Sequence, residues 1–387
     1  MGDWLKRQIK SALYHLPGKK YILLESNPPM EDNTGALFQK MLERGWNRRY
    51  RLGWVLYEPG RENDIRGRNV TALSADTPLR RLRLILALCR AAAIVDCNLQ
   101  VKKLYPGTVH LYLAHGSPIK SVGDYYGCDE TTDHMLNQAP FFTEINAREF
   151  HIAAEKLVTL GYPRNDLLLS EGPDLRQYFG PRFRRFVVWY PTYRQHRSGV
   201  TYGGAYEAET AGRTAVGIPV LDSPEGALEV NAAAEKNSTL LIVKPHPAQD
   251  LSMIRMLELS NIVFIDDAFF VKHGVGAYAF LGSSDGLITD YSSVFYDYLL
   301  LDKPIGLAIQ DIEEYRRCPG FAVDMELLEP AAERLDTAAD FERFFADIAS
   351  GRDMHAGERR RLRDLTNTYT DGASAERVLD FLEERLG

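Results

Sequence analysis

Short apolar runs alternating with longer helical stretches, in two successive series, constrain this chain more than any other feature. YILLES (21–26), RLGWVLY (51–57), AAIVD (92–96) and VHLYLAHG (109–116) are each short, aliphatic or aromatic, and closed by polar, Gly or Pro residues. Continuous apolar runs of that length suit strands buried on both faces of a parallel sheet. RFVVWYPT (185–192), TLLIVKPHP (239–247), IVFID (262–266), GLITD (286–290) and PIGLAI (304–309) form the second series. Two series of βα units predict an α/β protein of two doubly wound, Rossmann-like domains. The segment EGPDLRQYFGPR, rich in Pro, Gly and charge, places the boundary near residues 170–184. The expected domains are therefore 1–178 and 179–387. Such sheets bind ligands beyond the carboxyl ends of their strands, so a central cleft between facing domains is the expected site.

The charge is uneven. Residues 1–103 carry 19 Lys and Arg against 10 Asp and Glu, while the remainder carries 27 against 43. A net charge of -7 argues against a general nucleic-acid binder, and the basic N-terminal part suits one anionic surface. Residues 1–20 read as an amphipathic helix ended by Pro17-Gly18. Trp4, Leu5, Ile9, Ala12, Leu13 and Leu16 fall at helical spacing beside Lys6, Arg7 and Lys10. Such a helix suits a lipid interface or packing on its own domain, and both readings stay open. Residues 79–93, with Arg80, Arg81 and Arg83 at one end, are a second candidate. No run approaches the roughly 20 apolar residues needed to span a bilayer. Cys89, Cys97, Cys128 and Cys318 show neither CxxC nor regular spacing, so no zinc site or disulfide framework is expected and a reducing cytoplasm fits.

Five short stretches stand where strands hand over to loops. His115-Gly116-Ser117-Pro118-Ile119-Lys120 presents an imidazole at a strand end, where it can take a proton from an attacking hydroxyl. Gly161-Tyr162-Pro163-Arg164-Asn165-Asp166 fixes a turn whose polar residues order the domain junction or touch ligand. Tyr190-Pro191-Thr192-Tyr193-Arg194 offers a guanidinium fork to phosphate oxygens. Lys244-Pro245-His246-Pro247 holds a His rigidly between prolines. Asp290-Tyr291-Ser292-Ser293 enters the helical VFYDYLLL, where capping is the first expectation and an anion site is an added one. Each stretch alone also has an ordinary structural explanation. Together they suit displacement at a phosphate, with a base on one side and charge stabilisation on the other.

In order along the chain, HGSPIK, GYPRND, YPTYR, KPHP and LITDYSSVFYDYLLLDKPI resemble the signature stretches of the CDP-glycerol glycerophosphotransferase family, the primases and polymerases of teichoic acid and related capsules. RCPGFAVD resembles a further family region, and the resemblance covers roughly residues 105–330. Ser117, Lys244 and Gln195 depart from the usual Thr, Arg and Asp; the first two keep hydroxyl and charge.

The resemblance implies a GT-B fold without an essential tightly held metal or other cofactor. It ties His115 and His246 to catalysis, and gives Ser292 and Ser293 the donor phosphate with Asp290 in support. The expected reaction is attack by an acceptor hydroxyl on the β-phosphate of CDP-glycerol, releasing CMP. His115 would be the base, and His246, Arg194, Lys244, Ser292 and Ser293 would stabilise phosphate charge. Gly116, Ser117, Lys120, Arg164, Asn165, Asp166 and Asp290 complete the expected substrate-binding set. An acceptor domain would precede a CDP-glycerol-binding domain. The acceptor would be an undecaprenyl-diphosphate-linked glycan, met at the anionic inner face of the cell membrane. CDP-ribitol as donor, a nucleotide-sugar glycosyltransferase and a homo-oligomeric state stay open on the sequence.

Overall fold

The computed structural model describes residues 3–57, 60–61, 65–123, 127–192, 216–246, 249 and 251–387. It divides the chain into two units, residues 1–117, 127–166 and 371–387 against residues 118–126 and 167–370.

The first unit is built on a seven-stranded sheet of order β3-β2-β1-β4-β5-β6-β7. Its strands are β1 Tyr21–Glu25, β2 Arg51–Val55, β3 Val70–Leu73, β4 Ala91–Asp96, β5 Val109–Tyr112, β6 His134–Asn137 and β7 Leu157–Thr159. Every pairing is parallel. β1 and β4, with most of their residues wholly buried, are the aliphatic runs of the sequence and lie side by side at the centre. The strand order reverses between them, which makes their carboxyl ends the topological switch point.

The second unit repeats the plan with six parallel strands, β10-β9-β8-β11-β12-β13. Here β8 is Arg185–Trp189, β9 Thr239–Val243, β10 Ile262–Phe264, β11 Gly286–Thr289, β12 Ile305–Leu307 and β13 Glu333–Arg334. Its switch point lies between β8 and β11. Trp189, Leu241, Ile288, Phe341 and Phe345 sit in one buried cluster with Val230 and Ala234 of the helix Pro224–Lys236.

A single cut after residue 178 does not describe this division. The chain crosses into the second unit at 167 and returns at 371, so its last helix, Ser374–Leu386, belongs to the first unit. The reason is an apolar stripe. Ala375, Val378, Leu379 and Leu382 are buried against Leu37, Phe38 and Met41 of the helix Asp32–Glu43. Each large aliphatic side chain buried there contributes about 1.5–3 kcal/mol. The ion pairs of Arg44 with Glu376, Asp380 and Glu383 on the same seam are partly exposed and add well under about 1 kcal/mol each. The stripe decides the placement.

The N-terminal helix expected from the sequence is present as Asp3–His15. Its end is tied to its own unit: Tyr14 stacks on Tyr105 at 4.0 Å, and Arg90 Nη2 donates to the carbonyl of Pro17 at 3.0 Å. The side chains of Trp4, Leu5, Lys6, Arg7 and Ile9 lie outside the described residues. All four cysteines are free thiols.

Candidate active site

In the first unit, β5 ends at Tyr112 and the chain turns sharply to present His115. Ala114 and Gly116 on either side of it both have left-handed backbone, φ 56° and 106°. Glycine takes that conformation freely, whereas a residue with a Cβ loses about 1–2 kcal/mol in it. Ala114 is held there by burial and by its carbonyl, which accepts Asn33 Nδ2 at 2.9 Å. The His115 side chain is 38 % exposed, enough to meet a ligand.

The partner of His115 is a residue that the sequence reading passed over. Asp32 opens the helix Asp32–Glu43 just beyond β1, and its Oδ2 lies 2.5 Å from His115 Nδ1. Its Oδ1 accepts Arg164 Nη1 at 2.9 Å. Burial opposes the charged carboxylate, but Arg164 and His115 outweigh it and hold Asp32 well below the usual carboxylate range. Arg164 itself is buried, and its backbone N–H donates to Asn33 Oδ1 at 3.1 Å. Gly35 completes the support, since a Cβ at that position would lie 2.2 Å from the Met30 carbonyl oxygen in the turn that carries Asp32. On the far side of the imidazole, Asn98 Nδ2 lies 2.9 Å from Nε2.

The remaining first-unit candidates do not gather around His115 in the same way. Ser117 is fully buried, with its hydroxyl on Gln138 Oε1 at 3.1 Å. Asp166 accepts the backbone N–H groups of Ser374 and Ala375 at 2.8 and 2.7 Å, closing the start of the last helix from outside. Asn165 is buried beside it.

Asp32, Cys97 and His115 converge closely enough to be considered as a metal site. Their chemistry fits a hydrogen-bonded set better. Burial, then the neighbouring Asp32 charge, pushes the Cys97 thiol well above its usual pKa, and the Asp32 carboxylate is already used by His115 and Arg164. Its Sγ is instead 3.0 Å from Thr34 Oγ1.

In the second unit, the candidates sit beyond β8, β9 and β11. Lys244 and His246 follow β9, with Lys244 Nζ 2.9 Å from Asp267 Oδ1. Lys120 belongs to this unit, where residues 119–121 run against 320–322; Ala322 N donates to the Ile119 carbonyl at 2.8 Å. Partial desolvation, then the Lys244 and Lys120 charges, depress the His246 pKa below the ordinary imidazole value. Asp290 is wholly buried and accepts Thr192 N and Thr192 Oγ1 at 2.8 and 2.5 Å, locking the β8 turn to the β11 turn. Ser292 and Ser293 are partly exposed ahead of the helix Val294–Tyr298. Capping there is a correction to the sequence reading: Ser293 occupies the N-cap position without a side-chain cap bond, and Asp290 is committed to Thr192 and Tyr291. Arg194 lies outside the described residues.

Thus the structure joins His115 to Arg164 through Asp32, and His246 to Lys244 and Lys120 by charge. It adds Asp32, Asn98 and Asp267, which the sequence reading missed.

Residues 9–384 match the family described as CDP-glycerol:poly(glycerophosphate) glycerophosphotransferase. The chain belongs to this family. Similar glycerophosphotransferases include the teichoic acid glycerol-phosphate transferase of Staphylococcus aureus, 24% identical over 87% of this chain and 88% of the relative. The teichoic acid ribitol-phosphate primase of Bacillus spizizenii is 24% identical over 66% of this chain and 60% of its own length. Among solved structures, a histidine-to-alanine variant of the wall teichoic acid polymerase TagF matches 98% of this chain and 93% of its own at a TM-score of 0.70 and 17% identity. A TagF variant soaked with CDPG matches at 0.68. The fold is that of the GT-B class. No helix among the described residues is long and apolar enough to cross a membrane.

Proposed function

We propose that this glycerophosphotransferase passes glycerol phosphate from CDP-glycerol to a hydroxyl of an undecaprenyl-diphosphate-linked glycan, with His115 as general base. The observation that carries the assignment is the 2.5 Å contact between His115 Nδ1 and ionised Asp32. A carboxylate on Nδ1 keeps the proton there, leaves the Nε2 lone pair for the substrate, and stabilises the imidazolium that forms. The acceptor hydroxyl gives its proton to Nε2 while its oxygen bonds the β-phosphorus. The bond from that phosphorus to the bridging oxygen breaks, and CMP leaves with the electron pair.

In this reading the second unit holds the donor phosphates through Lys244, His246, Arg194, Ser292 and Ser293, with Lys120 adding positive charge. Asp290 shapes the turn from within, as Arg164 and Asn165 do in the first unit. These groups carry the developing charge without a metal or organic cofactor. The relatives include both glycerol-phosphate and ribitol-phosphate enzymes, so CDP-ribitol is the competing donor to test. His115→Ala should lower kcat by about 10²–10⁴ while calorimetry shows CDP-glycerol binding within a few-fold of wild type. Turnover retained within a few-fold would remove His115 as base.

The lipid-linked acceptor asks for a membrane face, and the helix Pro78–Cys89 supports one. Leu79, Leu82, Ile85 and Leu86 are all exposed, beside Arg80, Arg81 and Arg83. That pairing of apolar and cationic side chains suits an anionic bilayer surface. Leu82→Glu with Ile85→Glu should release the protein from anionic liposomes at an unchanged melting temperature. Undiminished liposome binding would contradict this assignment.

A further inference from the structure

Asn98 stands on the one nitrogen of His115 that the reaction needs. It follows β4, and its backbone N–H donates to Glu25 Oε2 at 3.1 Å. Its side-chain Oδ1 accepts the backbone N–H of Asn27 at 3.0 Å. A backbone N–H can only donate, so the amide orientation is fixed: oxygen toward Asn27 and Nδ2 toward His115. Nδ2 can only donate as well, and it lies 2.9 Å from Nε2. Nε2 therefore presents its lone pair.

The other side of the ring gives the same answer independently. Ionised Asp32 only accepts, so Nδ1 carries the proton. Two unrelated constraints, one through Asn27 and one through Arg164, select one tautomer. The backbone around them is strained to that end. Asp32, Leu99 (next to Asn98) and Ala114 (next to His115) each have φ 56° without being glycine. Residues held in such conformations cluster where surroundings impose a geometry for use.

We propose that Asn98 is a positioning residue that selects the Nδ1–H tautomer of His115 and holds the place of the acceptor hydroxyl on Nε2. The incoming hydroxyl donates to the same lone pair as the amide it displaces, so the base is poised and shielded until the acceptor arrives. This rests on His115 being the base. The charged and titratable groups beside the imidazole include Asp32 and Arg164, Cys97 next to Asp32, and Glu25, whose charge the imidazole also feels.

The test combines a spectroscopic and a kinetic measurement on the full chain. Imidazole 15N shifts, assigned by the signal lost in His115→Gln, should show protonated Nδ1 and bare Nε2 above the titration range. Asn98→Asp sets a carboxylate oxygen on Nε2, which demands a proton there. The acid limb of kcat/KM should then move up by at least about one pH unit, with activity recovering as pH rises. Asn98→Ala opens the lone pair and should leave that limb within about half a unit while kcat falls, because Asp32 still holds the proton on Nδ1 but the ring loses its restraint on the Nε2 side. A purely structural Asn98 would lower activity in both variants without moving either limb. A protonated Nε2 in the wild type overturns the inference, as does an unmoved limb in folded Asn98→Asp. Retained turnover in His115→Ala is a different failure: it removes the base assignment and leaves the tautomer result standing.

Discussion

Asp32 Oδ2 and His115 Nδ1 lie 2.5 Å apart, although 83 residues separate them in the chain. Asp32 meets two donors at once, His115 on one oxygen and Arg164 on the other. Asn at this position has a single acceptor oxygen, so one donor loses its partner whichever way the amide turns.

Asp32→Asn should therefore lower kcat by about 10²–10⁴, as loss of an orienting carboxylate does elsewhere. The melting temperature should also fall, because Arg164 is buried and its charge is left partly uncompensated. Steady-state kinetics alongside calorimetric melting separates the two effects. A kcat within a few-fold of wild type would show that Asp32 serves Arg164 alone.

Much of this was readable in advance. β1, β4, β8, β9 and β11 are uninterrupted aliphatic runs because both faces of each are covered, and burial on both faces leaves a continuous apolar pattern. β3, β7 and β13 were not readable. They are edge strands of two to four residues, mostly half-exposed, and Glu333–Arg334 carries no apolar signal at all. His115 and His246 were legible as polar residues at strand ends. Asp32 and Asn98 were not, since each acquires its meaning from a neighbour brought in by the sheet. One signal was available: they lie in the segments that follow β1 and β4, the strands at which the order reverses. Ser117 and Asp166 show the opposite limit, because a polar residue in a motif does not announce whether it faces ligand or protein. Their hydroxyl and carboxylate are used by Gln138 and by the last helix.

Glu25 provides a pH test of the first unit. It is wholly buried at the end of β1, opposite Asp96 in the sheet register, and Oε1 has no hydrogen-bond partner among the described residues. Burial, then the Asp96 charge, pushes its pKa up from 4.5 to about 7. A carboxyl whose pKa is raised on folding binds its proton more tightly in the folded state. Its stabilising contribution is complete below 4.5 and is lost as pH rises through 7. The loss is on the order of 3 kcal/mol. Urea denaturation should show stability falling between pH 4.5 and 7.5 more steeply in wild type than in Glu25→Gln. Parallel curves would show that Glu25 ionises freely.

His246 provides a second. Desolvation and the nearby Lys244 and Lys120 favour its neutral form. A bound pyrophosphate reverses that balance, so donor binding should draw a proton from solvent. Calorimetry of CDP-glycerol binding in buffers of different ionisation enthalpy should show this uptake, and His246→Gln should abolish it. Equal uptake in the variant would place the proton elsewhere.

Transfer of glycerol phosphate is the step on which all these residue roles depend. Wild-type protein incubated with CDP-glycerol and a synthetic undecaprenyl-diphosphate-linked disaccharide should yield acceptor heavier by glycerol phosphate, with one CMP per transfer, by mass spectrometry. CDP-ribitol and UDP-sugars should give little or no product under the same conditions, and His115→Ala should give almost none with CDP-glycerol. An acceptor left unmodified by the wild type, or one that gains a sugar from a UDP donor instead, would rule out glycerol phosphate transfer from CDP-glycerol to this acceptor.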